Sequence, residues 1–224
     1  TIICDEMVAS PENVKIINNG DKTFTVKVHK NYIKDFEDGV EYIAACGSFE
    51  YKANIYYSKV DVWDGKSVST SLSGRGTETD PYLIQSAADL VYFQSQINAI
   101  EGAAGVNYKV TKYAGEYFKL TKSINLNGAN FQIGKHANWN DYQGFAGIFD
   151  GNNCTIRGLN INNTSTSAAL FACIKTGGVL KNLSVYGNVT GSTTVSGVVA
   201  YLLGTTENVT SYVTVTGSAT IGGI

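Results

Sequence analysis

An imperfect repeat in the last third of the chain, from about residue 144 to 224, constrains the fold more than any other feature. Residues 155–161 (TIRGLNI) match 179–185 (VLKNLSV), and 206–211 (TENVTS) match the second segment again. Residues 169–173 (ALFAC) correspond to 197–201 (GVVAY), and 195–198 (VSGV) to 221–224 (IGGI). The spacing is roughly 24 to 26 residues, inside the range of solenoid repeats. Within each unit, alternating runs such as Leu183 and Val185 or Val213 and Val215 are broken by Gly, Asn, Ser and Thr. Alternation means strand, and the breakers mean turn.

A unit of three short strands has one inward apolar row that it cannot cover alone. The next unit covers that row and satisfies the open backbone edge, so the units are expected to stack as coils of a parallel β-solenoid. Asn182 and Asn208 fall at the same place in their repeats. They are read as a structural ladder, each Asn at a turn and bonding the backbone of the next turn.

Upstream, residues 74–84 (GRGTETDPYLI) read as a turn entering a strand. Ser86 with Asp89 three residues on predicts a helix N-terminus, and Leu90, Phe93 and Ile97 fall on one face, giving a helix over about 86–98. Residues 116–120 and 124–126 alternate as strands. The helix sits where a solenoid needs a cap, because the first coil would otherwise expose its inward row. Residues 1–65 differ: 14–17 and 24–28 flank Asn18, Asn19, Gly20 and Asp21 as a hairpin, and strands fit 41–45, 51–55 and 59–63. A small β-sandwich, Ig-like and truncated at its start, is the expectation there.

The expected fold class is therefore all-β: a β-sandwich-like domain over 1–65, a capping and opening region of the solenoid with one α-helix over 66–143, and parallel β-helix repeats over 144–224. The chain begins without Met and stops at Gly222, Gly223 and Ile224, where the previous unit reads Ser196, Gly197 and Val198 and continues. It reads as a piece of a longer polypeptide, so a missing signal peptide carries no message about localisation.

Charged residues make up only 16% of the chain and the formal net charge is −2, with no run of Lys or Arg. Nucleic acid is excluded as an expected partner, since phosphate-backbone binding needs a basic footprint. No apolar stretch is long enough for a transmembrane helix. The cysteines, Cys4, Cys46, Cys154 and Cys173, lack zinc-site spacing, and no cofactor or metal is expected. Cys154 and Cys173 read as buried free thiols in the repeats. Cys4 and Cys46 are left either bridged, as in an exported protein, or free.

Taken as an ordered series, residues 61–65 (DVWDG), 74–84, 115–120 (GEYFKL), 133–134, 145–151 (FAGIFDG) and 155–159 (TIRGL) resemble the opening region of bacterial secreted proteins with GLUG-motif repeats. The resemblance covers about 61–224. It implies a right-handed parallel β-helix, export or attachment to the cell surface, and an adhesin-like role. The chain departs from that pattern where Gly-Leu-Phe-Gly reads ALFA at 169–172 and GVVA at 197–200. Ala is small enough to keep those corners packed.

Because parallel β-helices also carry lyase and glycosidase activity, the acids decide the enzyme question. Between 144 and 224 they are Asp150 and Glu207, with no His. Asp150 reads as an Asx-type turn residue, and Glu207 takes the repeat position of Lys181, a solvated face. Catalytic residues are therefore not expected in this segment. The best ligand-binding candidate is the insertion at 134–142 (GKHANWNDY), where His136, Trp139, Asp141 and Tyr142 lie close in sequence. Trp139 could stack on a sugar or anchor a protein partner, or fold back as a lid on the core. Thr214 and Thr216 have the form of an ice-binding array but no Thr-x-Thr partner in the preceding coils, where 184–186 (SVY) and 187–189 (GNV) stand. Sequons at Asn163, Asn182, Asn188 and Asn208 follow from composition. The expected function is an extracellular or cell-surface adhesion module for a glycan or a partner protein. The alternative is a non-catalytic accessory domain of a larger secreted enzyme, a protease or polysaccharide-active protein.

Overall fold

The computed structural model describes residues 2–4, 7–8, 14–18, 24–28, 41–46, 49–54, 60–99, 113–138, 141–164 and 167–224, with side chains for 60–99, 113–135, 143–164 and 167–224. The chain divides into two units, Thr1–Lys59 and Val60–Ile224.

The first unit contains β1 (Ile2–Cys4), β2 (Met7–Val8), β3 (Val14–Asn18), β4 (Phe24–Val28), β5 (Glu41–Cys46) and β6 (Phe49–Asn54). The order β2-β1-β5-β6 forms one antiparallel sheet, and β3 pairs with β4 in antiparallel register, while the expected Asn-Gly turn between them lies outside the described residues. Side chains here, those of Cys4 and Cys46 included, lie outside the described residues.

The second unit opens with β7 (Asp61–Val62), β8 (Tyr82–Ile84) and α1 (Ala87–Asn98), followed by β9 (Tyr117–Leu120), β10 (Ile124–Ala129), β11 (Lys135–Asn138) and β12 (Asp141–Gln143). It continues through β13 (Ile148–Asp150), β14 (Thr155–Asn163), β15 (Phe171–Ile174) and β16 (Val179–Gly191). The last coil comprises β17 (Thr194–Ser196), β18 (Val199–Leu202), β19 (Thr205–Thr216) and β20 (Thr220–Gly222). Apart from β11 and β12, the named strands of this unit pair in parallel. They stack as a β-solenoid of about three turns.

One face is built from β8, β9, β13 and the starts of β16 and β19; a second from β7, β10, β14 and the remainders of β16 and β19. Pairs β15 with β18 and β17 with β20 complete the coil, joined by bridges from Ile133, Phe145 and Ala168. Inward residues form continuous rows: Phe118, Phe149 and Leu180 on the first face, Ile124, Ile156 and Val185 on the second. All six are essentially inaccessible to solvent. Such rows are what a parallel stack predicts, since alternate residues along each strand face the core.

The corner between the two faces is made by asparagine. Asn182 and Asn208 have φ of 53° and 51°, the left-handed region that Asn tolerates better than most side chains. Here the side chains bond one another, with Asn208 Nδ2 donating to Asn182 Oδ1 (3.2 Å) and Asn182 Nδ2 to Asp150 Oδ1 (3.0 Å). The expected partner was the neighbouring backbone. The amide in fact reaches its counterpart one coil away because the corner residues stand in register.

Helix α1 begins where its capping residues predict. Ser86 Oγ accepts from Asp89 N at 3.2 Å, and Asp61 Oδ2 accepts from Ala87 N at 2.6 Å. Two of the helix's free N–H groups are thereby satisfied. Its buried face carries Phe93 into a cluster of rings, with centroids 4.7 Å from Phe118, 5.4 Å from Phe145 and 5.6 Å from Phe149. The helix covers the inward row of the opening coil.

Three details depart from the sequence reading. Asp61 and Val62, read with the N-terminal strands, pair in parallel with Ile124 and Asn125 and belong to the solenoid. The spacing is not constant: Leu180 meets Thr206 in the last coil, whereas one coil earlier Phe149 meets Leu180, a longer step along the chain. Residues 179–181 consequently lie beside 148–150, while Ile156 pairs with Val185, so the match of 155–161 to 179–185 was out of register. Each coil carries two alternating apolar runs separated by a corner, and a short string cannot say which run it belongs to.

Candidate functional site

Two places stand out, the β11–β12 hairpin and the outward face of β14, β16 and β19. The hairpin interrupts the parallel order at a close backbone approach. Gly134 has φ of 81°, and a Cβ there would sit 2.3 Å from the carbonyl oxygen of Gln143. Glycine is needed both for the conformation and for the contact. Helix α1 holds this root: Asn98 Oδ1 accepts from Gly134 N at 2.6 Å, and Gln94 Nε2 and Asn98 Nδ2 both donate to Gln132 O.

The strand register then sets His136 directly opposite Tyr142 and Asn138 opposite Asp141, with an irregularity between. Three of the predicted residues, His136, Asp141 and Tyr142, are thus brought to neighbouring positions of one hairpin. Trp139 lies outside the described residues, as do the side chains of the other three.

Past the hairpin the packing is tight. A Cβ on Gly144 would meet Cys173 O at 2.8 Å and Lys175 Cγ at 3.0 Å. Burial pushes the Cys173 thiol up to about 11 and lowers the Lys175 pKa. Cys154 and Cys173 are free thiols, and burial also raises the Cys154 pKa. Thiols held neutral in this way are inert packing groups.

Of the two acids of the repeats, Asp150 is held by hydrogen bonds and Glu207 is exposed. Asp150 Oδ1 accepts from Asn152 N at 2.8 Å, an Asx-type turn, and also from Asn182 Nδ2. Glu207 stands opposite Lys181, which stands opposite Asp150, itself opposite Lys119. Opposite charges alternate across four strands, an arrangement that favours this register over slipped ones.

Beyond the Asn corner the outward side chains change character. Arg157, Tyr186 and Tyr212 form a row: the tyrosine rings stack at 4.6 Å and 13°, and the Arg157 guanidinium lies 6.0 Å from the Tyr186 ring centre. Arg157 also donates to Thr155 Oγ1 at 3.0 and 3.3 Å. Tyr212 is 58% exposed and Tyr186 37%. Beside them run Asn160, Asn188 and Thr214, and then Asn162, Thr190 and Thr216, each set aligned across successive coils. Thr216 stands opposite Thr190 but Thr214 stands opposite Asn188, so no Thr-x-Thr pair faces this segment in the preceding coil. Tyr186 and Tyr212, aligned across coils, are not among the residues singled out from the sequence. Their identical place in SVYGNV (184–189) and TSYVTV (210–215) was the available signal.

Among the described residues there is no cluster of His, Cys, Asp and Glu fit to hold a metal ion, and no helix is long and apolar enough to cross a membrane.

No family model matches the chain, and no solved structure matches it. A stretch of 145 residues, 61% of the chain, is 32% identical to Halomucin of Haloquadratum walsbyi. The chain spans about 1% of that protein's length.

Proposed function

We propose that this chain is a binding module of an extracellular or cell-surface protein, engaging a glycan or a partner protein through the outward face of β14, β16 and β19. The observation that carries this reading is the exposed Arg157, Tyr186 and Tyr212 stack among uncharged amide and hydroxyl rows. A solenoid presents such rows at fixed spacing on a rigid support, which lowers the cost of ordering a binding surface. The likeness to a stretch of Halomucin supports a place at or outside the cell surface. Kinship with the GLUG-type surface repeats is part of the proposal; their bacterial setting is not, since the relative is archaeal. The hairpin with His136, Trp139, Asp141 and Tyr142 is proposed as a second contact point.

The module is read as non-catalytic, because Asp150 and Glu207 serve the corner and the register. A second reading is an accessory domain of a larger secreted enzyme, with the active site in another part of that enzyme. The test is binding of the fluorescently labelled full chain to a glycan array and to intact cells. Saturable binding that falls in a Tyr186→Ala/Tyr212→Ala variant is expected. No binding to either would overturn the reading.

A further inference from the structure

We infer that the ligand of the β14, β16 and β19 face is a neutral glycan chain, laid along the solenoid axis against the wall formed by Tyr186 and Tyr212. The inference rests on the binding-module reading above and narrows it to one chemical class.

Charge is the first argument. On the outward rows of these three strands beyond the Asn corner, Arg157 is the sole ionised side chain among the described residues, and it is already occupied. Its guanidinium donates twice to Thr155 Oγ1 and faces the Tyr186 ring. A phosphate, sulfate or uronate ligand needs several free cations, and this face does not offer them.

Apolar content is the second. Stable protein interfaces centre on a dry patch of aliphatic and aromatic groups. Tyr186 and Tyr212 are the large hydrophobic residues exposed on β14, β16 and β19 among those described; Leu202, Leu203 and Ile221 lie on β18, β20 and the turn after β18. The face thus has aromatic edges and phenol hydroxyls but no apolar plateau.

Hydrogen-bonding geometry is the third. Asn188 pairs with Thr214, and Thr190 with Thr216, so amide and hydroxyl groups recur along the axis at the strand spacing of about 4.8 Å. A pyranose presents donors and acceptors at comparable intervals, and its C–H faces suit an aromatic neighbour. Asn and Thr each supply both donor and acceptor, which matches hydroxyl groups of either orientation.

The experiment uses the full chain, titrated by calorimetry with β-1,4-glucan, N-acetylglucosamine and mannan hexasaccharides, and with heparin fragments as the acidic comparison. The expected result is binding of a neutral hexasaccharide that is unchanged between 50 mM and 500 mM salt. Affinity should fall about tenfold or more in Tyr186→Ala/Tyr212→Ala and severalfold in Thr214→Val/Thr216→Val. Thermal melting of each variant verifies folding, and a variant that melts early is replaced by Tyr212→Ser alone. If a neutral sugar binds but neither variant weakens it, this face is not the site and the inference fails, while the broader module reading stands. If only heparin fragments bind, with strong salt dependence and loss in Arg157→Gln, the neutral class is wrong. If no saccharide binds, the inference is overturned and the module reading rests on the cell-binding assay alone.

Discussion

The two ends of the solenoid handle the same problem differently. At the α1 end, Phe93 is fully buried among Phe118, Phe145 and Phe149, and the opening coil shows solvent little of its inward row. At the β19–β20 end the inward positions Val209, Val213 and Val215 are only partly covered, and Ile221 is 51% exposed. The backbone pairs in parallel at both ends, with a register shift between β10 and β14 and an unshifted ladder between β16 and β19. Register is a local property of strand against strand, whereas burial needs a further layer, and α1 supplies that layer at one end.

The comparison is broken most strongly at Phe93. Phe93→Ala should cost about 3–5 kcal/mol, the range for emptying a core aromatic site, and urea unfolding would report it. Val213→Ala at the other end should cost under about 1 kcal/mol. Equal losses would mean that the helix is decoration rather than a lid.

The second test is pH. Burial holds the Cys173 thiol protonated up to about 11, against 9.0 for an ordinary thiol. The folded state therefore binds the proton more tightly than the unfolded chain. Its contribution is intact below about pH 9 and is lost as pH rises through 11, on the order of 2 kcal/mol. Lys175 acts in the opposite sense, because its lowered pKa makes stability rise with pH towards 10.5. Melting from pH 8 to 11 should thus fall less steeply in Cys173→Ala than in the parent, and parallel curves would contradict the assignment.

Corners give a smaller effect. Asn182→Ala removes two side-chain hydrogen bonds and puts Ala in the left-handed region, a loss of about 1–2 kcal/mol. Asn208→Ala, with one ladder bond recorded, should lose about half that. Asn182→Gly should recover part of the loss, since it relieves the backbone term alone. Ser86→Ala should cost about 1 kcal/mol at the covered end through the lost N-cap. The smallest change has the opposite sign. Ser211 continues the inward row of Ile156 and Val185, yet its Oγ is buried without a hydrogen-bond partner among the described residues. Ser211→Ala should raise the midpoint slightly.

Much of this was legible in the residues. Ser86 and Asp89 announced the helix, the Asn at 182 and 208 announced the corner, and the self-similarity of neighbouring segments announced the last coil. The candidate site was less legible. Residues 134–142 stood out because they broke the pattern, and the antiparallel pairing of β11 with β12 sets His136 opposite Tyr142. The Tyr186 and Tyr212 stack kept to the pattern and was passed over. Its members are unremarkable singly, and only correct alignment of the coils makes them a row.

The sequence by itself determined that these residues alternate, where the chain turns, and that such units must stack to bury their apolar rows. Those are short-range consequences of side-chain period and turn chemistry. Only the tertiary structure decided which residues meet across coils. The step from Phe149 to Leu180 is longer than the step from Leu180 to Thr206, and a slip of even one position would exchange the inward and outward sets. The same register places Arg157, Tyr186 and Tyr212 in one line, because strands that lock their buried rows in place also fix the rows that face outward.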